Sequence, residues 1–353
     1  MKKMKSKLSV LGLSLMSAAC SQPDTNYSVL ATGQGFRQAT VNNKIDLLWS
    51  IDNSQSMAPL QQNLLNNINA FTDDFMTRGF DFQLAVSTSD AYLASPNFRN
   101  NPSLARFRDG VGSNRTGVFV VTPATVNPIA TFITNANQGQ TGVGDERVFS
   151  SLRESLSSSL NQGFVRSNSF LGIIILSDED DFSNEQRPEF DFSLGDHSYN
   201  DPNLESVDSY VRYFDGLTGS TSNKRNYSVS AITVLDAACQ IAHKKAAPST
   251  IIGKRYIELA NKTGGVLGSV CDASFADALA AIQNRLVELS TQFDLQSKPI
   301  VETIRVYVNG TPIPENATNG WTYNADRNSL IFHGTAKPPS NALIGVYFDP
   351  ESI

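Results

Sequence analysis

The run Phe170-Leu171-Gly172-Ile173-Ile174-Ile175-Leu176 constrains the fold more than any other stretch of the chain. It is apolar without alternation and too short for an ordinary helix. It therefore reads as a strand covered on both faces, the situation of a parallel sheet between two helical layers. Lys44-Ile45-Asp46-Leu47-Leu48-Trp49-Ser50-Ile51 is a second, largely apolar run of the same kind. Phe82 to Ser87, Tyr227 to Leu235 and a short Val266 to Val270 add further strands, and Gly117 to Val121 a strand or hairpin arm. Between the runs the apolar residues recur at helical spacing. Leu64, Ile68, Phe71 and Phe75 share one face of a helix over 60–75, and further helices are predicted over 129–136, 147–160, 204–214, 252–263 and 273–289. Strands alternating with helices predict an α/β fold, a doubly wound and mostly parallel sheet with helices on both faces.

Near Gln292 the period changes. Ile304-Arg305-Val306-Tyr307-Val308 alternates, and Asn309-Gly310 follows as a hairpin signal. Leu330 to Phe332 and Leu343 to Phe348 are short strands, so residues 292–353 predict a small all-β module. At 353 residues the chain is long for one core, which fits an α/β domain over 41–291 plus this module. Residues 21–40 are polar and lack apolar periodicity, as in a tether. Residues 1–20 carry an export signal: Lys2, Lys3, Lys5 and Lys7, an apolar stretch from Leu8 to Met16, then small residues before Cys20. This resembles a bacterial lipoprotein signal with Cys20 lipidated, although Ser17 stands where such signals usually carry Leu; the alternative is an ordinary secretion signal. Hydrophobic content of 40% suits a soluble globular chain, and a net charge of -6 without a basic cluster argues against nucleic acid as partner.

The chemistry concentrates where the two strongest strands end. The first runs into Asp52-Asn53-Ser54-Gln55-Ser56, the other into Ser177-Asp178-Glu179-Asp180-Asp181. Ligands of open α/β sheets sit beyond the carboxyl ends of the strands. Carboxylates and hydroxyls gathered there suit a hard divalent cation. Asp52 or Ser54 alone could simply cap the next helix. Two acidic strand ends in one parallel-sheet pattern make the stronger case. Asp180 and Asp181 read as a solvated acidic loop in preference to a second cation site, and Thr88 and Asp90 as a turn or part of the same rim. His197, His243 and His333 fit no zinc spacing. Ser54 and Ser56 have no evident histidine and acid to make either a nucleophile, so the expectation is a protein without enzymatic activity.

The Asp-x-Ser-x-Ser of Asp52, Ser54 and Ser56, between an apolar strand and a helix, resembles the metal-ion-dependent adhesion site of von Willebrand factor type A domains. The strand ending in Asp178 is similar to that family's later acidic position, and the resemblance spans roughly 41–291. It implies a sheet with one short antiparallel edge strand. It also implies a cation held by Asp52, Ser54, Ser56 and Asp178, with a coordination position left for a carboxylate of a protein partner. Mg²⁺ leads, with Ca²⁺ and Mn²⁺ as alternatives. The family usually supplies a Thr before its third main helix. Here Val148, Leu152 and Leu156 set the helix register so that Glu146 occupies that place, as in integrin β-subunit inserted domains, with Thr141 the alternative. If the late strands are neighbours, as the family order implies, Cys239 and Cys271 emerge together and form a disulfide in an oxidising compartment; two free thiols are the alternative.

The resulting expectation is a metal-dependent adhesion protein of the bacterial envelope. It would be exported and held at the outer membrane or cell surface through lipid on Cys20, or else periplasmic or secreted. A structural or assembly component of a surface appendage, using the same site for subunit contacts, is the alternative.

Overall fold

A computed structural model describes residues 37–40, 44–77, 80–185, 199–222, 224–339 and 342–351. The residues expected to form an export signal, Cys20 among them, and His197 lie outside these residues. The chain order is β1 (Arg37–Thr40), β2 (Lys44–Ile51), α1 (Ala58–Thr77), β3 (Asp81–Thr88), β4 (Gly110–Val111), β5 (Asn114–Arg115), β6 (Val120–Val121), α2 (Pro128–Ala136), α3 (Val148–Ser157), β7 (Phe170–Leu176), α4 (Val207–Thr218), β8 (Tyr227–Thr233), α5 (Ala237–His243), α6 (Lys254–Thr263), β9 (Leu267–Ser269) and α7 (Ala276–Ser290). Then come β10 (Phe293–Asp294), β11 (Arg305–Val308), β12 (Thr311–Ile313), β13 (Trp321–Asn324), β14 (Ser329–Phe332) and β15 (Leu343–Tyr347).

The main sheet has the order β6-β3-β2-β7-β8-β9, parallel throughout except for β6 against β3. Side chains alternate along each strand, and both faces are apolar. On one face Leu47, Trp49, Ile51, Ile174 and Leu176 pack with Leu64, Ile68 and Phe71 of α1, Phe132 of α2 and Ile282 of α7. On the other, Leu48, Ile173 and Ile175 pack with Phe149 of α3, Phe214 of α4 and Tyr256 of α6. Each such side chain removed from water contributes roughly 1.5–3 kcal/mol, which is why these runs do not alternate. Gly172 permits α7 to close on the sheet, since a Cβ there would stand 2.6 Å from Leu286. The doubly wound α/β class read from the sequence is the one observed.

The C-terminal strands form a four-stranded sheet, β1-β15-β11-β12, facing a three-stranded one, β10-β14-β13. Val306, Ile344, Val346, Trp321, Leu330 and Phe332 make a core of their own. Asn309 and Gly310 turn β11 into β12 with φ of 50° and 81°, the paired positive values of a type I′ hairpin. One sequence reading is corrected. Residues 37–40, assigned to the tether, form β1 and pair with β15, so the β module draws on both flanks of the α/β domain. The seven-residue helix α5 follows β8 without an apolar periodicity long enough to announce it.

The order of the main sheet positions the site. From β2 the chain winds through α1 to β3 on one side, while β7 lies on the other. The winding thus reverses between β2 and β7, and the crevice at their carboxyl ends is where such sheets bind ligands.

Candidate metal centre at the carboxyl ends of β2 and β7

β2 and β7 run in register to their ends, Ile51 opposite Leu176. The Asp52 amide then donates to the Leu176 carbonyl at 3.0 Å. This carries Asp52 and Ser177 to neighbouring positions, and the Ser177 hydroxyl donates to Asp52 Oδ2 at 2.8 Å. Asp52 Oδ1 accepts the amide of Ser54 at 2.8 Å, a tight local turn that aims the loop back over the strand end. The Ser54 and Ser56 hydroxyls lie 3.2 Å apart, and Ser56 donates to Asp178 Oδ1 at 3.0 Å. Asp52, Ser54 and Ser56 at the end of β2 and Asp178 at the end of β7 thus lie in one hydrogen-bonded array.

Glu146 reaches this place through α3. Its carbonyl accepts the Phe182 amide at 2.8 Å, tying the residue before the helix to the loop leaving β7. The side chain is 0% exposed, and among the described residues neither carboxylate oxygen makes a well-formed hydrogen bond, although the Ser89 hydroxyl is near enough to pull its pKa down. An unpaired buried polar group costs about 1–3 kcal/mol, more when charged, so its presence asks for a reason. Thr141 is exposed on the Gly-rich loop, whose Gly142 amide docks on the Asn53 carbonyl at 2.9 Å. Of the two sequence candidates, only Glu146 is buried beside the strand ends.

The electrostatics are those of acids without a counter-charge. Burial, then the charge of Asp178, pushes the Asp52 carboxyl up to about 6. Burial raises Asp178, against the pull of the Ser56 and Thr250 hydroxyls. Glu146 is raised well above the usual carboxylate range by burial and by the charges of Asp52 and Glu179. Glu179, also buried, is pushed up to about 8 by desolvation, with Asp52 and Asp178 adding to it. Among the described residues no Lys or Arg pairs with any of the four; His243 Nδ1 comes within 3.7 Å of Asp178 Oδ2, and burial lowers its own pKa. No three His, Cys, Asp or Glu side chains among the described residues converge on one point. An ion here would take its oxygens from hydroxyls as well as carboxylates. The donor set is all oxygen, the choice of a hard divalent cation, and the buried Glu146 carboxylate, without a well-formed hydrogen bond among the described residues, fits such an ion.

Several residues around the site were not foreseen. Ser89 lies within 3.5 Å of Asp52 Oδ1 and 3.3 Å of Asn53 Oδ1. Thr250 stands 3.5 Å from Asp178 Oδ2, and its neighbour Ile251 donates its amide to the Asp178 carbonyl at 3.2 Å. Both come from connections whose path the sequence pattern does not set. Ser177 and Glu179 flank Asp178 in the sequence, and that adjacency was the available signal. Asp90, expected at a turn or the rim, pairs with Arg108 at 2.9 Å and accepts from Asn53 Nδ2 at 3.4 Å.

Asp180 and Asp181 correct the expectation of a solvated loop, because both are 0% exposed. Asp180 accepts the Arg255 amide in the first turn of α6 at 3.0 Å and the Tyr199 hydroxyl at 2.7 Å. Asp181 accepts the Phe149 amide in the first turn of α3 at 2.8 Å and pairs with the Arg255 guanidinium at 3.1 Å. They hold two helix N-termini against the end of β7, a favourable place for carboxylates. The expected disulfide joins Cys239 to Cys271 across a Cα separation of 5.7 Å.

No family model matches the sequence, and no curated protein matches it. Among solved structures, the chain is similar to the pilus adhesin SpaC from Lactobacillus rhamnosus GG in its open conformation, at 12% identity and a TM-score of 0.43, over 90% of this chain and 41% of that one. It is similar to proximal thread matrix protein 1 from the mussel byssus at 12% identity and a TM-score of 0.35, over 72% of this chain and 47% of that one. A second structure of that byssal protein gives 13%, 0.37, 72% and 48%. The chain spans under half the length of these proteins.

Proposed function

We propose that this chain binds a divalent cation, Mg²⁺ first among them, at the carboxyl ends of β2 and β7, and through it recognises an acidic residue of a protein partner at the bacterial envelope. The observation that carries the reading is Glu146, fully buried beside Asp52, with the Ser89 hydroxyl pulling against its raised pKa but neither carboxylate oxygen in a well-formed hydrogen bond among the described residues. A bound divalent ion supplies a coordination position that a partner's carboxylate can take. Asp52, Ser54, Ser56, Asp178 and Glu146 would hold the ion, and its charge would offset their mutual repulsion. Ser177 and Ser54 fix the Asp52 carboxylate through both of its oxygens, and fixed ligands lose less entropy on binding. The Asp-x-Ser-x-Ser motif and its resemblance to von Willebrand factor type A domains support the same reading. In it the role is binding, not catalysis. Export through the N-terminal signal, with lipid on Cys20, would place the site at the envelope.

The test is calorimetry with Mn²⁺ or Mg²⁺ on the native chain and on Asp52→Ala. The native chain is expected to bind one ion. The variant is expected to lose binding while keeping its circular dichroism spectrum, because Asp52 caps a strand end and contributes no apolar burial. Unchanged affinity in the variant would overturn the assignment.

A further inference from the structure

Beside the proposed centre lies a buried ion pair that the site itself does not use. Asp145 and Arg147, each 2% exposed, flank Glu146 in the sequence. Arg147 Nη2 stands 2.9 Å from Asp145 Oδ2, and the Tyr92 hydroxyl donates to the same oxygen at 3.1 Å. The guanidinium carbon lies 5.1 Å from the Tyr92 ring centroid and 4.7 Å from that of Phe98, two rings that meet edge to face. Arg147 Nη1 donates to the Asn184 carbonyl. The turn carrying Tyr92 is itself fixed to α3: the Ser151 hydroxyl donates to the Ser89 carbonyl at 2.6 Å and accepts the Tyr92 amide at 2.9 Å. The residues on both sides of Glu146 are therefore anchored to the connection leaving β3, while the Glu146 carbonyl is anchored to the loop leaving β7.

A buried ion pair adds little net stability, because stripping water from both charges offsets their attraction. What this one supplies is a fixed backbone on either side of a residue whose own carboxylate is buried at the strand ends. Groups that orient a metal ligand without touching the ion govern how tightly it binds. We propose that Asp145 and Arg147 are positioning residues of the metal centre, and that with Tyr92 they form a clamp presenting the Glu146 carboxylate to the ion. The inference rests on the metal-dependent reading of the site and adds to it the device that keeps one ligand in place. The pair is neutral as a whole, so it acts on the ion through geometry and not through net charge. Held on both sides, Glu146 has little further freedom to lose when an ion arrives.

The test is the full chain carrying Asp145→Asn/Arg147→Met. Both charges go together, so neither is left buried without its partner, the net charge is unchanged, and an acceptor for the Tyr92 hydroxyl remains. Mn²⁺ affinity by calorimetry is expected to fall about tenfold. The electron paramagnetic resonance spectrum of the bound Mn²⁺ is expected to change from the native form to that of Glu146→Gln. A merely structural pair would lower the melting temperature in chelator and leave the spectrum of the bound ion native. Tyr92→Phe, which keeps both charges and the ring, should weaken binding about threefold; it decides the matter if the double variant does not fold by circular dichroism. Native affinity or a native spectrum in the folded double variant, or native affinity in Tyr92→Phe where the double variant does not fold, would overturn the clamp and leave the metal centre standing. A native chain that binds no Mn²⁺ would instead strike the proposed function itself, and the clamp with it.

Discussion

β2 carries a buried aspartate near each end, and the two are treated in opposite ways. At the amino end Asp46 is 0% exposed and enclosed by Arg166, whose Nε stands 2.7 Å and whose backbone amide 2.8 Å from its carboxylate; the same guanidinium reaches Asp81 at 2.6 Å. Burial still raises the Asp46 pKa, but Arg166 and Ser169 pull against it. At the carboxyl end Asp52 is equally buried, yet its neighbours are hydroxyls, an amide and other acids. Asp181, close by, again has its arginine. Among the described residues Asp46 and Asp181 thus have an arginine at the carboxylate, while Asp52, Asp178 and Glu146 have none. Under the proposed reading, that contrast marks a place where positive charge would come from outside.

The contrast can be broken at either end. Arg166→Leu should have the largest effect, because it leaves Asp46 buried without its partner. About 3–5 kcal/mol of stability should be lost in urea titration, with Mg²⁺ affinity unchanged. Next comes the response to metal. At an ion concentration about a hundredfold above its Kd, the native chain should gain about 3 kcal/mol, seen as a raised melting temperature. Glu146→Gln should weaken that gain, and Thr141→Ala should leave it intact; the reverse ranking would move the ligand to the Gly-rich loop. A smaller effect of opposite sign is expected for Asp52→Asn in the presence of chelator. Removing an uncompensated charge while keeping an acceptor for Ser54 should stabilise the chain by about 1–2 kcal/mol, where a structural aspartate would give a loss.

The smallest effect is a trend with pH. Asp52 and Asp180 titrate near 6 and Glu179 near 8 in the folded chain, all above their ordinary values. Between about pH 4 and pH 8 the folded chain therefore holds protons that the unfolded chain has released. Stability in chelator should fall as pH rises through that window, and below it the contribution should be constant. With Mg²⁺ present Asp52 would ionise onto the ion, so the gap between the two melting curves should widen with pH. A chelated chain more stable at pH 8 than at pH 5 would count against the unpaired cluster.

Much of this was legible in the sequence because burial writes itself into long-range patterns. The run Phe170–Leu176 could only be a strand covered on both faces, and the helical phase of Val148 and Leu152 carried Glu146 to the strand ends. What was not legible depends on where connections fold back. Asp180 and Asp181 look like any solvated acidic stretch until the amides of α3 and α6 arrive over them. The strand Arg37–Thr40 reads as polar tether because its order comes from pairing with β15, some 300 residues away, and not from an apolar period of its own. His243 and Thr250 reach Asp178 along a path fixed by a disulfide and a few hydrogen bonds, which leave no periodic trace.

The central claim is best tested by locating the ion. Crystals of the full chain grown with saturating Mn²⁺ should show one strong anomalous difference peak among the oxygens of Asp52, Ser54, Ser56, Asp178 and Glu146, with Thr141 outside its coordination. No peak at that place, or a peak held by other residues, would contradict the account.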